Sequence, residues 1–119
     1  MTTSREEEMG YYMLQWSYKD KQYQAMVDKP QDREKLVAKA VESFGGKLHS
    51  FFFAFGDFDG VGIMEFPDNE SATAFLLTIG GGGAVSKLMT TVLMTPAEAK
   101  KAMKKAQGTK SGYQPPTGA

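Results

Sequence analysis

The chain has 119 residues, enough for one domain with a buried core, and its 14 basic side chains balance 14 acidic ones. This balance gives no general attraction for nucleic acid or for an anionic membrane, and no apolar run reaches the ~20 residues that a membrane-spanning helix needs. The absence of cysteine excludes disulfides and thiolate zinc sites, and a single histidine excludes a histidine-rich metal site within one chain. We therefore expect no metal or other cofactor, no nucleic-acid or membrane partner, and a cytoplasmic location.

The first part of the chain is predicted to be a leader, a strand and a connector. Residues 1–9 show no apolar period and are expected to be flexible. Tyr11–Tyr18 is rich in aromatic residues, which favours a strand, with one face formed by Tyr12, Leu14, Trp16 and Tyr18. Lys19–Lys29 is mostly polar and is interpreted as a connector.

A helix and a hairpin come next. Pro30 suits the first position of a helix, and apolar residues recur at helical spacing up to Phe44. Gly45-Gly46 is expected to end this helix in a left-handed conformation. Lys47–Phe55 and Phe58–Phe66 are predicted to form two strands joined by a tight turn at Gly56-Asp57.

Both faces of this hairpin are apolar. Simple alternation places His49 on the same face of the first strand as Phe51, Phe53 and Phe55. A sheet with one face in water should alternate apolar with polar residues. We therefore expect that each face is covered.

The second half of the domain repeats the order of helix and strand. Asp68 is a good N-cap for a helix that Gly80–Gly83 should end, and a strand should follow over residues 84–94. Thr95-Pro96-Ala97-Glu98 is a capping box that starts a last helix, to about Ala106. Residues 108–119 are rich in Gly, Pro, Thr and Ser and are expected to be disordered.

The order β-α-β-β-α-β predicts an α+β fold over residues 10–107: a ferredoxin-like sandwich with a four-stranded antiparallel sheet and an added C-terminal helix. We expect the strand order 4-1-3-2, which puts the Phe-rich second strand at an edge. Two helices cover one face, and nothing in the chain is expected to cover the other. A second copy of the chain is the simplest cover, so we expect a homodimer or a higher oligomer.

Two residues are candidates for acid–base chemistry. His49 is the only imidazole of the chain, and Asp59 lies beside Asp57 at the end of the hairpin. The structural alternatives are a solvated or hydrogen-bonded role for His49 and a strand-end hydrogen bond for Asp59, and both are favoured.

Aromatic residues near the predicted centre of the sheet are candidates for an apolar ligand site. They are Trp16, Tyr18 and Phe58, with core packing as the favoured alternative. Gly60 and Gly62 share one face and leave space there, either for a closely packed helix or for a ligand. The run Gly80–Gly83 follows a helix, so it is a flexible connection rather than a phosphate cradle.

The stretch from Pro30 to about Glu98 resembles the GYD domain, a small bacterial and archaeal family of unassigned function. The likeness is carried by Glu42-Ser-Phe-Gly-Gly-Lys-Leu-His-Ser-Phe, by Gly56-Asp-Phe-Asp and by Glu65-Phe-Pro-Asp-Asn-Glu. Phe58 stands where the family has Tyr, which removes a hydroxyl. The resemblance implies a ferredoxin-like fold of the dimeric α/β-barrel type.

The leading hypothesis is a small homo-oligomeric domain for ligand binding or assembly. Its ligand would be a small apolar molecule. The alternative is a cofactor-free oxygenase or isomerase acting on a small aromatic or lactone-like compound, which rests on analogy of fold. A purely structural module is the third possibility, and it would have a filled core without a cavity.

Overall fold

The structure is a computed structural model that describes residues 9–117 of the chain. Almost all of the predicted leader, and residues 118–119 of the predicted tail, lie outside the described residues. In chain order the elements are β1 (Gly10–Tyr18), α1 (Asp20–Asp28), α2 (Arg33–Ser43), β2 (Lys47–Phe53), β3 (Gly60–Phe66), α3 (Asn69–Gly81), β4 (Val85–Leu93) and α4 (Pro96–Gln107).

The four strands form one antiparallel sheet in the order β2-β3-β1-β4. Strand β1 is central and pairs on both sides, so that Tyr12 lies opposite Met64 of β3 and Val92 of β4. This confirms the predicted ferredoxin-like α+β fold, its strand order and the edge position of β2.

The core lies between one face of the sheet and helices α2 and α3. Alternate residues of β1 are buried there, because the side chains of a strand point to opposite faces in turn. The buried hydrophobic residues are Tyr12, Leu14, Trp16, Val41, Met64, Phe66, Ala72 and Phe75. Helices α1 and α4 contain no buried residue.

The helix ends mostly follow the predicted caps. Gly45 adopts a φ of 77° after α2, as expected for a left-handed cap. The Asp68 carboxylate accepts a hydrogen bond from the Ser71 amide at 2.7 Å, and Thr95 forms the predicted capping box with Glu98.

Two predictions about the helices are wrong. The predicted connector Lys19–Lys29 contains helix α1. Helix α2 begins at Arg33 rather than at Pro30, because the Asp32 carboxylate accepts a hydrogen bond from the Lys35 amide and caps the helix there.

The hairpin also differs from its prediction. Strand β2 ends at Phe53 and β3 begins at Gly60, so residues 54–59 form a longer connection instead of a tight turn. The Ala54 amide donates to the Asp59 carbonyl at 2.8 Å and closes this connection. Gly56 does not take a positive φ.

A register shift between Leu48 and Ser50 changes which residues share a face of β2. Beyond the shift, Phe51 and Phe53 lie opposite Gly62 and Gly60, on the face that the helices cover. His49 contacts Glu65, which points to the other face. The expectation that His49 shares a face with the phenylalanines is therefore wrong, because a bulge breaks the alternation on which it relied.

Candidate functional site

A cavity of about 270 Å³ lies between the sheet and helices α2 and α3. Strands β1, β3 and β4 form its floor, and the two helices form its walls. Most of its lining is apolar: Leu14, Trp16, Tyr18, Leu36, Val37, Ala40, Met64, Phe75, Ile79, Ala84 and Val85, with Arg33, Thr78 and Gly82 completing it. Such an apolar hollow with few polar groups is typical of a site for a small molecule.

The Trp16 ring forms part of this lining because two glycines leave room for it. A Cβ atom at Gly60 would lie 2.3 Å from the Cε2 and Cζ2 atoms of Trp16, and one at Gly62 would lie 3.6 Å from Cζ3. Phe51 packs on Trp16 with their ring centroids 5.3 Å apart. The space at the glycines is therefore filled by the neighbouring strand's indole, and neither a helix nor a ligand is needed to explain it.

One end of the cavity is polar and basic. Arg33 and Tyr18 line both the cavity and an adjoining hollow of about 180 Å³, which also contains Lys29 and Gln31. The Arg33 guanidinium donates a hydrogen bond to the Gln31 side-chain oxygen at 3.1 Å. Among the described residues that line the cavity itself, Arg33 is the only charged one.

The structure brings only some of the predicted site residues together. Trp16 and Tyr18 line the cavity, whereas Phe58 lies apart from it, with the Lys87 ammonium 4.7 Å from its ring centroid. His49 and Asp59 do not line the cavity. Arg33 was not predicted as a site residue, because a charged residue near the start of an amphipathic helix is typical of the face that points to solvent.

Asp59 is buried, with 8% of its surface exposed, and it joins β1 and α1. Its Oδ2 atom accepts hydrogen bonds from the Tyr18 amide at 2.9 Å and from the Tyr23 hydroxyl at 2.5 Å. The bond from Tyr23 to this carboxylate raises the pKa of the Tyr23 phenol. The predicted strand-end hydrogen bond of Asp59 is confirmed.

His49 and Glu65 form a pair on the face of the sheet opposite the cavity. The His49 Nε2 atom contacts the Glu65 carboxylate, and the Tyr11 ring lies 5.3 Å from the imidazole, centroid to centroid. The His49 side chain is 31% exposed and that of Glu65 is 11% exposed. An imidazole held by a carboxylate has a fixed orientation and tautomer, which is useful in acid–base chemistry and equally in packing.

Within residues 9–117 no three His, Asp or Glu side chains are grouped so as to hold a metal ion. None of the helices in this part of the chain is both long and apolar enough to cross a bilayer.

Comparison with known proteins identifies a family and a shared fold. The model of the GYD domain matches residues 12–103, whereas no curated protein gives a significant match. Among solved structures, the transcriptional regulator NMB0573 of Neisseria meningitidis, in complex with L-Met, is 15% identical with a TM-score of 0.52. MtbAldR is 12% identical with a TM-score of 0.56.

The matched regions are parts of longer chains. The alignment with the Neisseria regulator covers 81% of this chain and 57% of that one, and the alignment with MtbAldR covers 80% and 59%. This chain therefore spans less than two thirds of either protein. At these identities the likeness shows that the fold is shared.

Proposed function

The chain belongs to the GYD domain family, and from this premise we propose that it is a small ligand-binding domain that works as an assembly of identical chains. The cavity between the helices and the sheet is the observation that carries the proposal. A purely structural module would have a filled core at this place. The cavity has a volume of about 270 Å³ and so suits a compact ligand. Drug-sized molecules fill larger pockets, of roughly 300–1,000 Å³.

The lining defines the chemical class of the ligand. Apolar side chains surround an apolar body, and burying it there is favourable at about 25 cal/mol per Å² removed from water. Arg33 at one end favours an anionic group such as a carboxylate, which a guanidinium binds with two parallel hydrogen bonds. The fold is compatible with this function, since the Neisseria regulator of the same fold is found in complex with L-Met.

Trp16 gives a direct test, because it is the only tryptophan of the chain and it lines the cavity. We expect phenylacetate to change its fluorescence saturably and to raise the melting temperature by linkage. The uncharged 2-phenylethanol should bind more weakly. Arg33→Gln should remove this preference for the anion.

A matched pair of variants tests the location. Ala40→Leu adds bulk inside the cavity and should abolish the fluorescence response, whereas Ala38→Leu, on the same helix but outside the cavity, should retain it. The proposal is overturned if small aromatic and aliphatic carboxylates leave both the fluorescence and the melting temperature unchanged.

The face of the sheet opposite the cavity supports self-association. Its apolar side chains are half-buried or exposed, and none of them belongs to the core: Tyr11, Met13, Phe52, Val61, Ile63, Met89 and Leu93. Polar residues, the His49–Glu65 pair among them, share the face. An apolar sheet face of this kind usually marks an interface. A second copy related by two-fold symmetry would cover it with the same surface.

The enzymatic alternative would rest on the His49–Glu65 pair. That pair lies on the opposite face of the sheet from the cavity that contains Trp16 and Tyr18. A ligand in the cavity would therefore be separated from the imidazole by the sheet itself. For this reason ligand binding, rather than catalysis by an oxygenase or isomerase, is the function that we propose.

A further inference from the structure

A second hollow, of about 500 Å³, lies beside α1 and the end of β2. We propose that this groove binds a small organic cation, an ammonium group that carries an aromatic or alkyl body. Its lining combines a buried carboxylate, Asp59, with the side chains of Tyr23, Met26, Val27, Phe53 and Phe55. The groove shares only Tyr18 with the inner cavity, so the inference stands independently of the proposed function.

The carboxylate supplies the charge preference. Asp59 is the only charged residue among the described residues lining the groove, and no Lys, Arg or His in residues 9–117 forms an ion pair with it. Both hydrogen bonds to its side chain reach Oδ2, and Oδ1 accepts none of the described bonds.

The free Asp59 oxygen is not sealed inside the protein. No fully buried side-chain oxygen in the described part of the chain is without a partner, so Oδ1 keeps some contact with solvent, and Asp59 lines the groove. A carboxylate oxygen in a largely apolar surrounding is a strong acceptor for an N–H⁺ donor. An anion is disfavoured at the same place by like-charge repulsion.

The aromatic wall supplies the second part of cation recognition. Phe53, Phe55 and Val27 are 47%, 83% and 71% exposed, so the groove presents a large apolar surface to water. Rings of Phe and Tyr attract cations through their faces, and the apolar body of the ligand would cover the exposed carbons. The two hollows therefore have opposite charge preferences, set by Arg33 in one and by Asp59 in the other.

The test uses the purified full chain and calorimetric titration with phenethylammonium, 2-phenylethanol and phenylacetate. These probes have similar bodies and differ in charge. We expect the cation to bind with one site per chain in a manner that does not change Trp16 fluorescence, and the alcohol to bind at least ten-fold more weakly. If the wild type binds phenethylammonium but not phenylacetate, the proposed function is overturned and this inference stays intact.

Variants locate the cation. Asp59→Asn should weaken its binding at least ten-fold, because the amide keeps an oxygen for the Tyr18 and Tyr23 donors but carries no charge. Tyr23→Phe removes one of the two donors to Oδ2 and should leave binding unchanged or tighter. Phe55→Ala should weaken binding about three-fold through the lost ring, and Leu77→Ala, an exposed residue of α3, should have no effect.

Three results would overturn the inference. The first is equal binding of the cation and the alcohol. The second is binding of the cation with wild-type affinity both by Phe55→Ala and by a folded Asp59→Asn variant. The third is a fall in oligomer size caused by Phe55→Ala, measured by sedimentation, since the groove would then be an interface between copies of the chain.

Discussion

At the scale of single residues, the contact between Trp16 and Gly60 controls the shape of the cavity. We predict that Gly60→Ala destabilises the protein by about 1–3 kcal/mol, the usual effect of overpacking a core. The reason is that the new methyl group would lie 2.3 Å from two ring carbons, so the indole has to move. Urea unfolding followed by circular dichroism measures the loss, and a shift in tryptophan emission reports the displaced ring.

Gly56→Ala is the matched control for this prediction. No atom lies within 4 Å of a Cβ at Gly56, and its φ is not positive. The free energy of unfolding of Gly56→Ala should therefore differ from that of the wild type by less than about 1 kcal/mol. Equal stability of both variants and the wild type would show that Trp16 does not lie against Gly60.

Part of the residue-scale arrangement could be predicted from sequence. Alternation along β1 places Trp16 and Tyr18 on the core face, where the structure has the cavity. The roles of Arg33 and of the His49–Glu65 pair could not be predicted in this way. The first depends on how a long side chain lies at a helix start, and the second on a bulge that a single sequence does not mark.

At the scale of elements, α4 depends on local interactions, because it has no buried residue. The Thr95 amide donates to the Glu98 carboxylate at 2.9 Å, and the Thr95 hydroxyl accepts from the Glu98 amide at 3.1 Å. The backbone and side-chain hydrogen bonds from Thr95 lower the pKa of Glu98. A carboxyl whose folded pKa is lowered stabilises the structure above its unfolded pKa, and this stabilisation is lost as the pH falls through the folded value.

We therefore predict that the start of α4 frays on acidification. The amides of residues 97–99 should exchange faster with solvent, relative to the intrinsic rate, below the lowered pKa of Glu98 than at neutral pH. Nuclear magnetic resonance measures both this exchange and the titration of the Glu98 side chain. In Glu98→Gln the same amides should show no such pH dependence. A pH-dependent change of equal size in that variant would show that Glu98 is not the group whose protonation frays the helix.

The elements also show why α1 was missed in the sequence. Tyr23, Met26 and Val27 have helical spacing, but Lys19 before the helix makes no side-chain cap, so no start signal marks it in the sequence. Helix α2 was predicted from its apolar spacing, from Pro30 and from Gly45-Gly46, and helix α3 from the Asp68 cap and the glycines that follow it. Helix α4, which has no buried residue either, was predicted from its capping box, and the lack of such a signal left α1 to resemble a connector.

At the scale of the whole molecule, the order of elements was sufficient for the topology. Two β-α-β units of this length close into one antiparallel sheet with β1 central, and the structure has this order. The same order leaves one sheet face outside the core. In our proposal a second copy covers that face, and neither the sequence pattern nor a single chain displays such a cover.

The proposed assembly gives the last prediction, which concerns Ile63 on that face, between Met13 of β1 and Ser50 of β2. If two copies join through this face, Ile63→Lys buries an unpaired charge on each side. We expect a cost of about 3 kcal/mol or more, which raises the dissociation constant of the dimer ~100-fold. Leu77→Lys, at a residue of α3 that is 72% exposed, should leave it unchanged.

Sedimentation of all three proteins at low micromolar concentration measures the effect. The wild type and Leu77→Lys should sediment as dimers or larger species, and Ile63→Lys as a monomer with retained far-ultraviolet circular dichroism. Because only an associating protein is stabilised by its own concentration, the melting temperature of the wild type should also rise with concentration, and that of Ile63→Lys should not. A wild type that sediments as a monomer would mean that water covers this face, and the proposal of self-association would then fail.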